Sequence, residues 1–149
     1  MRINFKIATP ERVVFKDEVD SITLPTVMGE ITILPNHIPL ISVLKTGEIT
    51  VKKGEEEFVM AVAGGFVEVL AEKVVVLADR AERSEEIDIA RAEAAMERAR
   101  KLRDEKNVDT VEFAALSAQI EKEMARLRVG RKQQKRVEKA QVQSLKSKV

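Results

Sequence analysis

Residues 73–103, "KVVVLADRAERSEEIDIARAEAAMERARKLR", change their period midway, and that change decides the fold. "KVVVLAD" is short and rich in Val, the composition of a strand that packs on a pleated surface. From Ser84 onward the apolar residues return every three or four positions instead: Ile87, Ala90, Ala94 and Ala95, Ala99, Leu102. Ser84 offers an N-cap, acidic residues fill the next turn, and no Gly or Pro follows for twenty residues. An all-β part over 1–83 should therefore meet a helical part at residue 84.

Upstream, the period of two persists. Ile3, Phe5 and Ile7 alternate with polar neighbours, and "GEITIL", "PLISVL", "GEITVK", "EEFVMAVA" and "FVEVL" repeat the pattern between Gly, Pro or charged turns. This predicts a β-sandwich of about ten short antiparallel strands, with Gly47, Gly54 and Gly64-Gly65 at turns or close approaches.

Downstream, Asp109 and Glu112 suggest a capping box, after which Phe113, Leu116, Ile120, Met124 and Leu127 step by three and four. The short connection "KNVD" at 106–109 makes the pair an antiparallel α-helical hairpin over 84–129. Its first helix is lined mostly by alanine, which buries about half of what a leucine stripe would. The hairpin should be loosely held. Residues 130–149 carry seven Lys/Arg against one Glu and present no apolar face, so they read as a basic extension, helical or disordered.

Composition narrows the chemistry. There are no cysteines and one histidine, His37, so a zinc site would lack ligands. Pro35 and Pro39 stiffen the loop around His37, which favours a contact surface over a catalyst. No stretch approaches the ~20 apolar residues that cross a bilayer, and the N-terminus lacks a secretory signal, so membrane association would run through a partner. None of the five Phe lies in the basic extension, which removes a stacking platform for nucleic acid.

On the first helix Asp88, Arg91 and Arg98 share a face, and Lys122 and Arg126 on the second could join them. That set can be an exposed ion-pair array, or a carboxylate and guanidinium forks gathered for a nucleotide. There is no Gly-rich phosphate loop and no hydrolytic machinery.

The ordered segments "TPE" (9–11), "GEITILPNHIPLI" (29–41), "LKTGEI" (44–49), "VAGGFVEV" (62–69) and "IDIARA" (87–92) resemble the epsilon subunits of F-type ATP synthases. The resemblance runs from about Ile3 to Val129. It implies a non-catalytic, peripheral subunit on the cytoplasmic face of the bacterial plasma membrane, coupling proton-driven rotation to ATP synthesis. It implies a sandwich that rests on the membrane rotor ring and the gamma subunit. Its hairpin would fold down or extend into the catalytic alpha/beta head to restrain ATP hydrolysis. Gly29, Glu30 and His37 match rotor-ring positions. No cofactor is required; ATP enters as a regulatory ligand, carried over onto Glu82, Ile87, Asp88, Arg91, Ala92, Arg98 and Arg126. Lys122 stands where nucleotide-binding relatives carry arginine, and Thr32 where glycine is usual. On the residues alone, a free-standing β-sandwich adaptor or a weak nucleic-acid binder using the basic tail stays open.

Overall fold

A computed structural model describes residues 1–105 and 108–148, which form two compact units, 1–83 and 84–149. The first unit holds eight strands: β1 (Ile3–Ala8), β2 (Val13–Val19), β3 (Ser21–Thr26), β4 (Gly29–Ile33), β5 (Leu40–Val43), β6 (Gly47–Lys53), β7 (Glu56–Val69) and β8 (Lys73–Arg83). Hydrogen bonding runs β2-β1-β8-β7-β6-β3-β4, with β5 also on β7.

Two features depart from the sequence reading. The count is eight, and "EEFVMAVA" and "FVEVL" belong to one 14-residue strand. Gly64 and Gly65 lie within that strand, at φ 74° and 114°. A Cβ on Gly65 would collide with the Leu77 carbonyl, so the strand crosses its neighbour there at a distance only glycine permits. Before this point β7 pairs with β6, and after it with β5, while β8 runs beside it from Met60 to Val69. One long strand thus serves both layers of the sandwich. The second departure is that β1 and β8 pair in parallel, with Asn4 opposite Lys73 and Ala8 opposite Leu77. The remaining pairs are antiparallel.

The core is built as the alternation requires. Ile3, Phe5, Ile7, Ile22, Leu24, Ile49, Val51, Val74 and Val76 are all essentially sealed from solvent. Phe15 joins it, its ring centroid 5.8 Å from that of Phe5.

The second unit begins with a 3-10 turn at Ser84–Glu86, followed by α1 (Ile89–Arg103) and α2 (Thr110–Ser147). Ser84 is not the cap of α1. The cap is Asp88, whose carboxylate accepts from the Arg91 N–H at 3.2 Å; the buried Ser84 hydroxyl instead donates to Gln133 Oε1 at 3.2 Å. An extended Asp four residues on caps better than a Ser held in a 3-10 turn. Asp109 caps α2 as its sequence suggests, accepting from the Glu112 N–H at 2.8 Å.

The buried face of α1 is also rotated from the expected one. Ala92 and Ala99 are buried, with Ala95 and Met96 half-covered, whereas Ala90, Ala94 and Leu102 are exposed. Starting the helix later leaves Ala92, Ala95 and Ala99 spaced i, i+3, i+7 towards α2. On α2, Ile120 and Leu127 are buried as expected, but Phe113 and Met124 are exposed. The connection "KNVD" lies partly outside the described residues.

Most notably, α2 does not stop near Val129. It runs 38 residues, roughly 57 Å at ~1.5 Å per residue, so the basic extension is its continuation. Gly130 does not break it, because glycine costs a helix interior only about 1 kcal/mol. Its lack of a side chain is used: a Cβ would stand 3.0 Å from Ile87 Cγ2 and 3.1 Å from Ile89 Cγ1.

Candidate functional site

β3 and β4 form a hairpin with Val27 and Met28 at its tip, and Met28 is 90% exposed. Gly29 follows at φ 118°, while Thr26 donates its hydroxyl to the Gly29 carbonyl at 2.6 Å and accepts from the Met28 N–H. These bonds fix an exposed tip of defined shape, and Glu30 stands beside it, exposed and opposite Pro25.

His37 belongs to a different loop, so Glu30 and His37 do not share a hairpin. That loop is held by Asn36, in the left-handed region at φ 64°, whose N–H donates to Ala71 O at 2.9 Å. His37 Nδ1 lies 2.7 Å from the Ile38 carbonyl oxygen, which can only accept, so this contact is a hydrogen bond in the tautomer with the proton on Nδ1. Ile38, beside it, is 76% exposed.

Sequence reading missed a further surface. Register places Val43 opposite Phe66, Phe66 opposite Leu77, Leu77 opposite Ala8, and Ala8 opposite Val13. These five residues form one row across β5, β7, β8, β1 and β2. Ala8 is half-buried, and the four larger residues are 46–56% exposed. Isolated apolar surface residues are ordinary; a contiguous cross-strand row is less so. The signal was present in "VVVL" at 74–77, whose unbroken apolar run implies that both faces of β8 are apolar.

Charge fixes the opposite turns of the sandwich. Lys53 donates to Asp17 at 2.7 Å, and this bond together with the Glu18 N–H holds the Asp17 carboxyl below its ordinary pKa. The Gly54 N–H donates to Asp20 at 2.6 Å and does the same there, aided by Arg2.

In the helical unit, α1 and α2 run antiparallel, with Gly130 against Ile87 and Ile89 at one end and Arg103 over the Phe113 ring, 5.7 Å from its centroid, at the other. At ~100° per residue the hairpin has two distinct flanks. One carries the Glu93–Arg131 ion pair at 3.2 Å. By the same geometry the opposite flank carries Arg91, Arg98, Lys122 and Arg126. Asp88 caps this end of α1, and the small, buried Ala92 lets α2 approach. Four cations on one edge are suited to a polyanion. Arg126 is not idle: its Nη1 donates to Glu123 Oε2 at 2.7 Å. Ile87 belongs to this unit, whereas Glu82 lies on β8 of the first, in register with Ala61. No helix among the described residues is long and apolar enough to cross a membrane.

Comparison with known proteins agrees along nearly the whole chain. Residues 2–84 match the family model for the ATP synthase delta/epsilon chain β-sandwich domain, and residues 85–130 that for its long α-helix domain. An ATP synthase epsilon chain of Dehalococcoides mccartyi is 46% identical over 134 residues, covering 90% of this chain and 96% of that one. One from Chloroflexus aggregans is 45% identical over 129 residues, covering 87% and 92%. Among solved structures, a chain of the Euglena gracilis mitochondrial ATP synthase, described as OSCP/F1/c-ring in rotational state 1, shares the fold. Its TM-score is 0.71 at 24% identity, over 80% of this chain and 76% of that one.

Proposed function

This chain belongs to the ATP synthase delta/epsilon family, as a non-catalytic chain of the central stalk, and on that premise we propose how its two units serve that role. The sandwich docks on the gamma subunit through the row Val43–Phe66–Leu77–Ala8–Val13. Its exposed loops, with Gly29, Glu30 and His37, meet the membrane rotor ring, so that rotation is passed on. The complex holds it on the cytoplasmic face of the bacterial plasma membrane. The observation that carries this reading is the apolar row, which spans five strands and covers no core of its own. Co-purification with gamma and the rotor ring tests it: a stable complex is expected, and failure to form one would overturn the docking assignment.

The hairpin is the regulatory element over 84–129. Its first helix buries only two alanines completely, so little apolar area holds it closed. Extended towards the alpha/beta head it restrains ATP hydrolysis; folded down it binds ATP through Asp88, Arg91, Arg98 and Arg126, with Ile87 and Ala92 beside them. A ligand that prefers the folded state stabilises it by ~2.7 kcal/mol at a hundredfold excess over Kd. The gathering of Arg91, Arg98, Lys122 and Arg126 on one flank favours this reading. ATP should raise the melting temperature of the isolated protein, and Arg91→Ala should abolish the rise. No heat of binding at millimolar ATP would remove the nucleotide role and leave the coupling role untouched.

A further inference from the structure

Glu123 has no part in the ligand set above, yet it is the one buried carboxylate of the hairpin among the described residues. Its side chain is 4% exposed, and it lies on the face of α2 that also presents Ile120, Leu127 and Gly130. Gly130 meets Ile87 and Ile89 on that face. Glu123 lies between this contact and the Arg103–Phe113 contact at the other end of the hairpin, level with the alanines of α1. One of its oxygens accepts from Arg126 Nη1 at 2.7 Å; the other is 3.9 Å from Lys122 Nζ.

We infer that Glu123 is a built-in competitor of the nucleotide's phosphates, holding Arg126 and Lys122 against an internal anion and so setting a weak affinity for ATP. This rests on the nucleotide reading given above. The physics is direct. A phosphate oxygen that takes Arg126 Nη1 must displace a carboxylate that already makes a short, charge-assisted bond there, and one at another guanidinium N–H meets that carboxylate's negative charge close by. The displaced carboxylate stays buried without its partner, which is costly, and it repels the incoming polyphosphate. Lys122, with a point charge where a guanidinium would offer a fork, cannot compensate. The hairpin therefore responds to ATP only when the nucleotide is abundant enough to win this exchange.

Calorimetric titration of the full chain with ATP, and with inorganic tripolyphosphate to isolate the phosphate arm, tests the inference. Glu123→Gln keeps the shape and removes the charge, and should tighten binding of both probes on the order of tenfold, about 1.4 kcal/mol. Adding Arg126→Ala in that background should erase the gain. If wild type binds and Arg91→Ala abolishes binding, but Glu123→Gln binds no more tightly, the competitor role is overturned and the nucleotide reading stands. A gain that survives loss of Arg126 overturns it too, because the effect would then be diffuse charge. No binding by any variant removes both readings together. Helix content by circular dichroism checks that Glu123→Gln is folded. Should it not be, Glu123→Asp decides: its shorter arm cannot hold the Arg126 contact, so a smaller gain supports the inference and no gain defeats it.

Discussion

Gly130 sits against Ile87 so closely that a methyl group in place of its hydrogen would stand 3.0 Å from Ile87 Cγ2. That contact, midway along a 38-residue helix, is where α2 is seated on the start of the hairpin. It makes the seat testable. Gly130→Ala gains about 1 kcal/mol of helix propensity against a small steric cost and should be close to neutral. Gly130→Leu should destabilise the hairpin by ~1–3 kcal/mol through overpacking. Urea unfolding of the helical signal, with limited proteolysis of α2, distinguishes them; a Leu variant as resistant as wild type would mean the seat bears no strain.

The apolar row predicts a separation of stability from assembly. Leu77 is 46% exposed, so Leu77→Arg should change the melting temperature of the sandwich little, within about 0.5 kcal/mol. Association with gamma should fall at least on the order of tenfold, as expected for truncating a central apolar contact. Pull-down against gamma with wild type and variant at equal concentration reads this. Equal recovery would move the interface elsewhere.

Asp88 has a structural duty that any binding assay must separate from a ligand contact. It caps α1 through the Arg91 N–H, so Asp88→Ala should cost about 1 kcal/mol of hairpin stability without any nucleotide present. Asn caps as well as Asp, so Asp88→Asn should keep the helix and its melting temperature. If the carboxylate also receives a donor from ATP, the Asn variant should lose the ATP-induced rise in melting temperature while remaining folded. Thermal melts of the three proteins with and without ATP give the answer.

The sandwich should weaken in acid for an identifiable reason. Asp17 and Asp20 have folded pKa values below the ordinary 3.8, through Lys53 and the Gly54 N–H respectively. Below pH 3.8 the unfolded chain takes up these protons before the folded one does. The stability they contribute is thus complete above that value and is lost as pH falls through the lowered folded values. Replacing both by Asn should flatten the dependence of the urea midpoint on pH below the ordinary 3.8. An unchanged slope would assign the acid sensitivity to other carboxylates.

What was legible in the sequence, and what was not, divides by range. The alternation of Ile3, Phe5 and Ile7 and the switch of period at Ser84 follow from local side-chain geometry, so the two units and their boundary could be read directly. The cap at Asp109 was equally local. The cap at Asp88 was missed because Ser84, an equally good capping type, precedes it; Gln133, 49 residues away, takes the serine hydroxyl and leaves the helix to start later. That shift turned the alanine face by a fraction of a turn. Gly64-Gly65 looks like a turn in one dimension, and only the carbonyl of Leu77 passing beside it explains why the strand continues.

The sequence by itself determined that this protein is a strand-built body joined to a weakly greasy helix pair, and its ordered segments placed it in its family. Pairing register and helix-to-helix contact were decided only in three dimensions. Neighbouring strands chose each other over separations of tens of residues, bringing Val43, Phe66, Leu77, Ala8 and Val13 into line. Likewise, Glu123 is charged and unremarkable in the sequence, and only the folded structure makes it a buried partner of Arg126. Periodicity reports which side of an element is apolar; it carries no information about what lies across from it.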